Sequence, residues 1–210
     1  MSDALAIAIS DLEEDQTLKL VQERLVAGTN PQDILASCRD GMALVGKRYE
    51  AGEYFVSELI MAGEMFKQTN ALLAPYFGTG GGATKGKVVI GTVKGDIHDI
   101  GKDLVVGMLK ASGFEVLDLG VDVPKEKFVE TAKQSGAKVV GLSGLLTISF
   151  DSMKDTIAAL KAAGLPAKVM VGGGPLTEQV REYVGADALG ADAQAAVNLA
   201  NKWTAEMEVA

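Results

Sequence analysis

The sequence predicts an α/β chain in two parts, a helical bundle up to residue 77 and a five-stranded parallel sheet over residues 87–210. Three observations carry this expectation. Apolar residues recur at helical spacing as far as about residue 76, the composition then turns abruptly to glycine, and from Lys87 onward short β-branched runs alternate with helical stretches.

In the first part, Leu18, Val21, Leu25 and Val26 make one apolar stripe. Asn30-Pro31 supplies an N-cap with proline at the first helical position. The next helix carries Ile34, Leu35, Cys38, Met42 and Val45 on one face, runs towards Tyr49 and is interrupted at Ala51-Gly52. A further helix holds Leu59, Gly63, Phe66, Asn70 and Leu73 and stops at Pro75. With the opening segment these make about four helices with short connections, a small antiparallel bundle. Cys38, the only cysteine, reads as a small hydrophobe on a buried face.

Residues 78–86, Gly-Thr-Gly-Gly-Gly-Ala-Thr-Lys-Gly, lack large apolar groups and read as a flexible linker. Gly81, Gly86 and Lys87 match a phosphate-loop pattern, but Val88 follows where Ser or Thr is needed. The segment also precedes a strand instead of joining strand to helix, so that reading fails.

The strands read as 87–93, 114–119, 138–143, 168–172 and a short 186–189, with helices near 101–112, 124–135, 150–163, 175–184 and 192–206. Apolar strands, each followed by a helix, call for a parallel sheet covered on both faces. Right-handed crossovers leave few topologies, and five units suit the flavodoxin-like (Rossmann-type) order 2-1-3-4-5. The loops after strands 1, 3 and 4 then gather at the switch point. They read Asp96-Ile97-His98-Asp99-Ile100-Gly101, Ser143-Gly144-Leu145-Leu146-Thr147-Ile148-Ser149 and Gly172-Gly173-Gly174-Pro175. One offers a carboxylate and the only imidazole of the chain, one offers hydroxyls, and one lets a large group approach the backbone.

Composition narrows the function. There are 28 acidic against 20 basic residues, a net charge of −8, and no Lys/Arg cluster, which disfavours nucleic acid or an anionic membrane surface as a partner. The N-terminus lacks a basic signal-peptide region and no apolar run reaches spanning length, so a cytoplasmic protein is expected. One Cys and one His cannot assemble an ordinary tetrahedral zinc site. Any metal must arrive largely pre-coordinated, inside a macrocycle such as haem or a corrinoid. An acyl-transfer triad of Asp96, His98 and a serine is the competing reading. It suffers from Ser143 standing in Gly141-Leu142-Ser143-Gly144-Leu145, which misses the last glycine of G-x-S-x-G. A metal-bound imidazole usually passes its other N–H to a carboxylate, and Asp96 is placed to receive it.

These parts resemble the cobalamin-binding pattern D-x-H-x-x-G, S-x-L, G-G. Asp96, His98 and Gly101 are followed 42 positions later by Ser143 and Leu145, and Gly172-Gly173 begins 27 positions after Leu145. The whole chain is similar to the cognate corrinoid proteins of methyltransferase systems and to the cobalamin-binding module of methionine synthase, in which a helical bundle precedes the α/β domain. The resemblance implies a corrinoid held base-off, with His98 as lower axial cobalt ligand, Asp96 as its hydrogen-bonded carboxylate and Ser149, more than Ser143, as third member of the relay. Asp99 and Gly101 belong to the same cofactor-binding loop. Ser143, Leu145 and Thr147 would line the pocket of the nucleotide tail, with Gly172 and Gly173 on its other side. Tyr49 and Val56, with Phe55 nearby, resemble the contacts of the bundle, as a cap, to the upper corrin face. A helix cap at Ser149, a plain turn at Gly172–Gly174 and ordinary bundle core at Tyr49 and Val56 remain the alternatives.

The implied cofactor is cobalamin or a related corrinoid, cycling through cob(I)alamin, cob(II)alamin and methylcobalamin. The implied activity is methyl carriage, non-catalytic alone. The methyl group would come from a substrate:corrinoid methyltransferase acting on methanol, a methylamine, a betaine or a methoxylated aromatic. It would pass to a corrinoid:tetrahydrofolate (or thiol) methyltransferase, and a reductive activase would restore the cofactor. The alternative is a cobalamin-binding sensor or regulatory protein.

Overall fold

The computed structural model describes residues 3–76 and 84–208. The chain divides into two compact units, Met1–Thr84 with Ala111–Gly113, and Lys85–Lys110 with Phe114–Ala210. The expected linker from Gly78 to Gly82 lies outside the described residues.

In the first unit, α1 (Ala4–Ser10), α2 (Glu14–Val26), α3 (Pro31–Glu50) and α4 (Val56–Leu73) are followed by a 3₁₀ turn over Ala74–Tyr76. Asp3 caps α1 by accepting the Leu5 N–H at 2.9 Å, and Asn30 caps α3 through the Gln32 N–H at 3.0 Å. Leu5, Ile9, Val21, Ile34, Cys38 and Val45 are fully buried, each aliphatic side chain stabilising the unit by about 2 kcal/mol. Helices α1 and α3 approach closely because Gly41 has no side chain: a Cβ there would stand 2.7 Å from the Ile9 Cβ. The apolar stripe of α2 is narrower than its spacing suggests. Thr17 and Val21 are buried, Leu18 and Leu25 are half-buried, and Val26, in the last turn, is 91% exposed.

The second unit is a five-stranded parallel sheet in the order β2-β1-β3-β4-β5. Its strands are β1 (Lys87–Thr92), β2 (Glu115–Asp118), β3 (Val139–Ser143), β4 (Lys168–Gly172) and β5 (Ala188–Leu189). The helices are α5 (Ile100–Ala111), α6 (Lys125–Ser135), α7 (Ser149–Ala162), α8 (Glu178–Val184) and α9 (Ala193–Glu208). Val89, Val140, Leu142, Val169 and Val171 lie in one core with Phe128, Met153 and Ile157 from the helices. The expected order therefore holds, with small shifts of boundary. Helix α8 starts three residues later than its spacing suggests, because the chain first closes a turn with Leu176 N–H on the Gly173 carbonyl and then caps the helix with Thr177. Strand β5 keeps two paired residues only.

The register sets the level of the functional loops. Thr92 pairs with Ser143 and Ser143 with Gly172, so β1, β3 and β4 all end on one line at the carboxyl edge.

Candidate functional site

At that edge β1 runs into the loop carrying Asp96 and His98. Gly95 takes φ +87°, a conformation that glycine adopts without steric cost, and turns the chain back towards the sheet. The Thr92 hydroxyl donates to the His98 carbonyl at 2.9 Å, and the Asp96 N–H donates to the Val93 carbonyl at 3.1 Å. The Asp96 side chain is completely buried as a result.

Five hydrogen bonds converge on this one carboxylate. Its Oδ1 accepts the His98 backbone N–H at 3.0 Å and lies 2.7 Å from the His98 Nδ1. Its Oδ2 accepts the Ser149 hydroxyl at 2.6 Å and the N–H groups of Leu145 and Leu146 at 2.7 and 3.0 Å. Burial pushes the Asp96 carboxyl up, but the donors Ser149, Leu146, His98 and Leu145 outweigh burial and hold it well below the ordinary carboxylate range. An ionised carboxylate only accepts, so Nδ1 carries a hydrogen, and in the tautomer this selects Nε2 presents its lone pair. Among the described residues no protein group bonds Nε2, and the ring is 48% exposed.

Ser149 is the first residue of α7 and is fully buried, with its hydroxyl turned to Asp96 and away from the helix amides. The cap reading of this serine is set aside by that geometry. Ser143 occupies a different place. Its carbonyl accepts the Val93 N–H at 3.0 Å, and it makes no bond to Asp96. Leu145 and Thr147 are exposed on the β3–α7 loop, and Asp99 and Gly101 are exposed around the start of α5.

The glycines of the third loop have a steric reason. Gly173 takes φ +141°, and a Cβ there would lie 1.9 Å from the Gly144 carbonyl oxygen. Gly172 meets the Gly190 carbonyl in the same way, at 3.0 Å. Gly144 itself makes room for Ser149 and Met153, each 2.8 Å from where its Cβ would stand. The plain-turn reading of Gly172–Gly174 thus accounts for part of the pattern, since backbone packing alone demands glycine at 173.

Sequence reasoning missed the amides of Leu145 and Leu146, Thr92 and Gly144. Backbone donors leave no residue type to read, and only the small residue Gly144 beside Ser143 hints at crowding.

The donor set constrains what can bind. No cluster of three or more His, Cys, Asp or Glu side chains able to hold a bare metal ion exists among the described residues. On the loops that meet at Asp96, Ile97, Ile100, Val121, Leu145, Leu146 and Ile148 are all exposed large hydrophobics. A single oriented imidazole in an apolar surround fits a metal that brings its own equatorial ligands on a broad apolar ring.

In the first unit, Val56 opens α4 and is exposed beside exposed Phe55 and Ile60, while Tyr49 is half-buried near the end of α3. Glu58 accepts the Phe55 N–H at 2.8 Å and so fixes the start of α4. No helix among the described residues is long and apolar enough to cross a membrane.

Residues 86–200 match the model of a B12 binding domain, and residues 1–73 match a second model of the same description. A corrinoid protein of Desulfitobacterium hafniense is 39% identical over 206 residues, covering 95% of both chains. The dimethylamine corrinoid protein of Methanosarcina barkeri is 39% identical over 197 residues, covering 92% of each. Among solved structures, the methanol:cobalamin methyltransferase complex of Methanosarcina barkeri superposes with a TM-score of 0.84 at 28% identity, over 96% of this chain and 78% of that one.

Proposed function

The chain belongs to the B12-binding corrinoid proteins, and we propose that it carries methyl groups between two methyltransferases on a corrinoid held base-off above His98. The observation that carries this reading is the hydrogen-bonded chain Ser149–Asp96–His98, which ends in an imidazole Nε2 without a partner among the described residues. Relatives named as dimethylamine and trimethylamine corrinoid proteins support the methyl-carrying branch.

When bound, the corrinoid supplies a cobalt centre that accepts a methyl group on one partner and gives it up on another. The chain's own residues do the rest. Asp96, fixed by five donors, keeps the hydrogen on Nδ1 and so aims the Nε2 lone pair outward. Ile97, Ile100, Leu145 and Leu146, all exposed, would offer a bound corrinoid an apolar surface and exclude water from it. Ser143, Leu145 and Thr147, with Gly172 and Gly173, are the proposed lining of the nucleotide-tail pocket, and Asp99 and Gly101 complete the cofactor loop. Tyr49 and Val56 of the bundle are the proposed cover of the methyl-bearing face.

The proposed partners are a substrate:corrinoid methyltransferase, a corrinoid:tetrahydrofolate or thiol methyltransferase and a reductive activase, all in the cytoplasm. The donor site lies on the first of these, which is why methanol, methylamines, betaines and methoxylated aromatics all remain candidate sources.

Anaerobic reconstitution with hydroxocobalamin, reduction to the cobalt(II) form and electron paramagnetic resonance test the reading. A three-line nitrogen splitting is expected in the native protein and is expected to vanish in His98→Ala while the cofactor stays bound. An unaltered spectrum and unaltered methyl-transfer rate in that variant would end the assignment of His98.

A further inference from the structure

The His98 segment is tied down from a direction that neither its own motif nor the serine relay explains. Residues 118–123, the last residue of β2 and the five that follow it, run alongside the His98 segment and continue the strand pairing of β1. The Thr92 N–H donates to the Gly120 carbonyl at 2.9 Å, the Val123 N–H donates to the Thr92 carbonyl at 3.0 Å, and Val93 bridges Val123. Two carboxylates of this stretch reach the His98 segment at its two ends.

Before His98, Asp122 makes three bonds. Its Oδ1 accepts the Gly95 N–H at 2.8 Å, its Oδ2 accepts the Lys94 ammonium at 2.8 Å, and its own N–H donates to the Asp96 carbonyl at 2.9 Å. Asp122 holds φ +53°, a left-handed conformation that costs energy for a residue with a side chain. After His98, Asp118 accepts the ammonium of Lys102 through both oxygens, at 2.9 and 2.7 Å, and also the Gly120 N–H at 3.0 Å. The Lys102 side chain is 2% exposed and also donates to Asp103 at 2.6 Å, so its ammonium is held in place between two carboxylates.

We infer that Asp122 is a positioning residue for the axial imidazole. With Asp118 and Lys102 at the far end, it clamps residues 94–102 so that His98 meets the ring at a set height. The inference rests on the proposed role of His98. It explains why a strained aspartate stands where glycine would sit without strain, because glycine has no side-chain oxygen to take the Gly95 N–H. Asp122 makes no bond to His98 and acts through the backbone of Gly95 and Asp96.

Two substitutions separate tether from strain. Asp122→Gly removes the carboxylate and relieves the left-handed backbone. Asp122→Asn tolerates that backbone and keeps an oxygen for the Gly95 N–H. In the corrinoid-free protein, Gly95 amide exchange should quicken by about tenfold in D122G and stay within about twofold in D122N. In the reconstituted cobalt(II) protein, the equilibrium between His-bound and His-free forms should move about tenfold towards His-free in D122G, with D122N close to the native protein.

Native protein without nitrogen splitting would sink the His98 assignment itself. Native splitting that persists unchanged in D122G, with unchanged Gly95 exchange, would sink the clamp alone. If D122G does not fold, Gly95 exchange in the native corrinoid-free protein decides the matter. Slow exchange supports the clamp, and exchange as fast as that of an open loop overturns it.

Discussion

Asp3 and Asp96 both have carboxyl groups held well below their ordinary range, and of the two only Asp96 is proposed to serve the cofactor. Asp3 is the other. The hydrogen bond from Arg24 lowers it most, burial opposes, and the Ser37 hydroxyl and the Leu5 N–H lower it further. Everything around Asp3 is used up in closing the amino end of the bundle. Around Asp96 the last member of the chain, His98, keeps one ring nitrogen open. A low carboxyl pKa therefore marks a well-satisfied group, and the open ring nitrogen beside Asp96 marks the proposed site. Asp3 also gives a test of sign. Its folded value lies below its unfolded value near 3.8, so its contribution is fully present above that pH and is lost as the pH falls through the folded value. Asp3→Asn keeps the helix cap but loses the charge on Arg24. It should cost about 1 kcal/mol at pH 7, a figure already reduced for the partial exposure of the pair. Urea unfolding of native and variant proteins should show that difference in full at pH 7 and a gap that narrows progressively as the pH falls below 3.8. A gap independent of pH would mean that Asp3 acts by shape alone.

At the scale of elements, the glycines of the two motif loops behave differently. Gly173 is demanded by the fold, since its Cβ would run into the Gly144 carbonyl. Gly101 lies in the first turn of α5 with nothing within 4 Å of the position of a Cβ. Among the described residues nothing crowds that position, which agrees with the proposed close approach of a bound corrinoid. Gly101→Ala should fold at least as well as the native chain, about 0.5 kcal/mol more stable in its corrinoid-free form, yet release corrinoid more readily. Gly173→Ala should lose stability before cofactor is added. Thermal unfolding of the corrinoid-free proteins, followed by cofactor retention on gel filtration, separates the two. Tight retention by G101A would remove the close approach. This contrast also marks how far a sequence can be read. The order 2-1-3-4-5 and the meeting of three loops follow from alternating strands and helices, because few parallel topologies satisfy them. The amides of Leu145 and Leu146 and the tether from Asp122 were not legible. Both depend on where backbone groups point at the ends of strands, which residue identity does not encode. The α2 stripe failed at Val26 for a related reason, since spacing alone cannot say that the last turn of a helix outruns its neighbours.

At the scale of the whole molecule, two cores stand in one chain. Leu5, Ile34 and Val45 belong to one and Val89, Val140 and Phe128 to the other. The proposed function asks two things of this division: the ring must be shielded between transfers, and it must be reachable by each partner. Five residues of the segment between the cores, Gly78-Thr79-Gly80-Gly81-Gly82, include four glycines, a composition suited to a joint and poor for a packed element. If that joint lets the bundle leave the ring, its stiffness should govern transfer and leave binding alone. Replacing residues 78–82 by a run of five prolines keeps a connection of comparable reach, at about 3 Å per residue, while removing most of its freedom. The variant should reconstitute with the same nitrogen splitting as the native protein, because the His98 loop is untouched. Methyl transfer with both partners should slow by about tenfold or more if opening becomes limiting. Equal slowing with the two partners is the sharper expectation, since both need the same face. Slowing with one partner alone would point to a docking contact made by the linker, and native rates with both would remove the hinge from the mechanism.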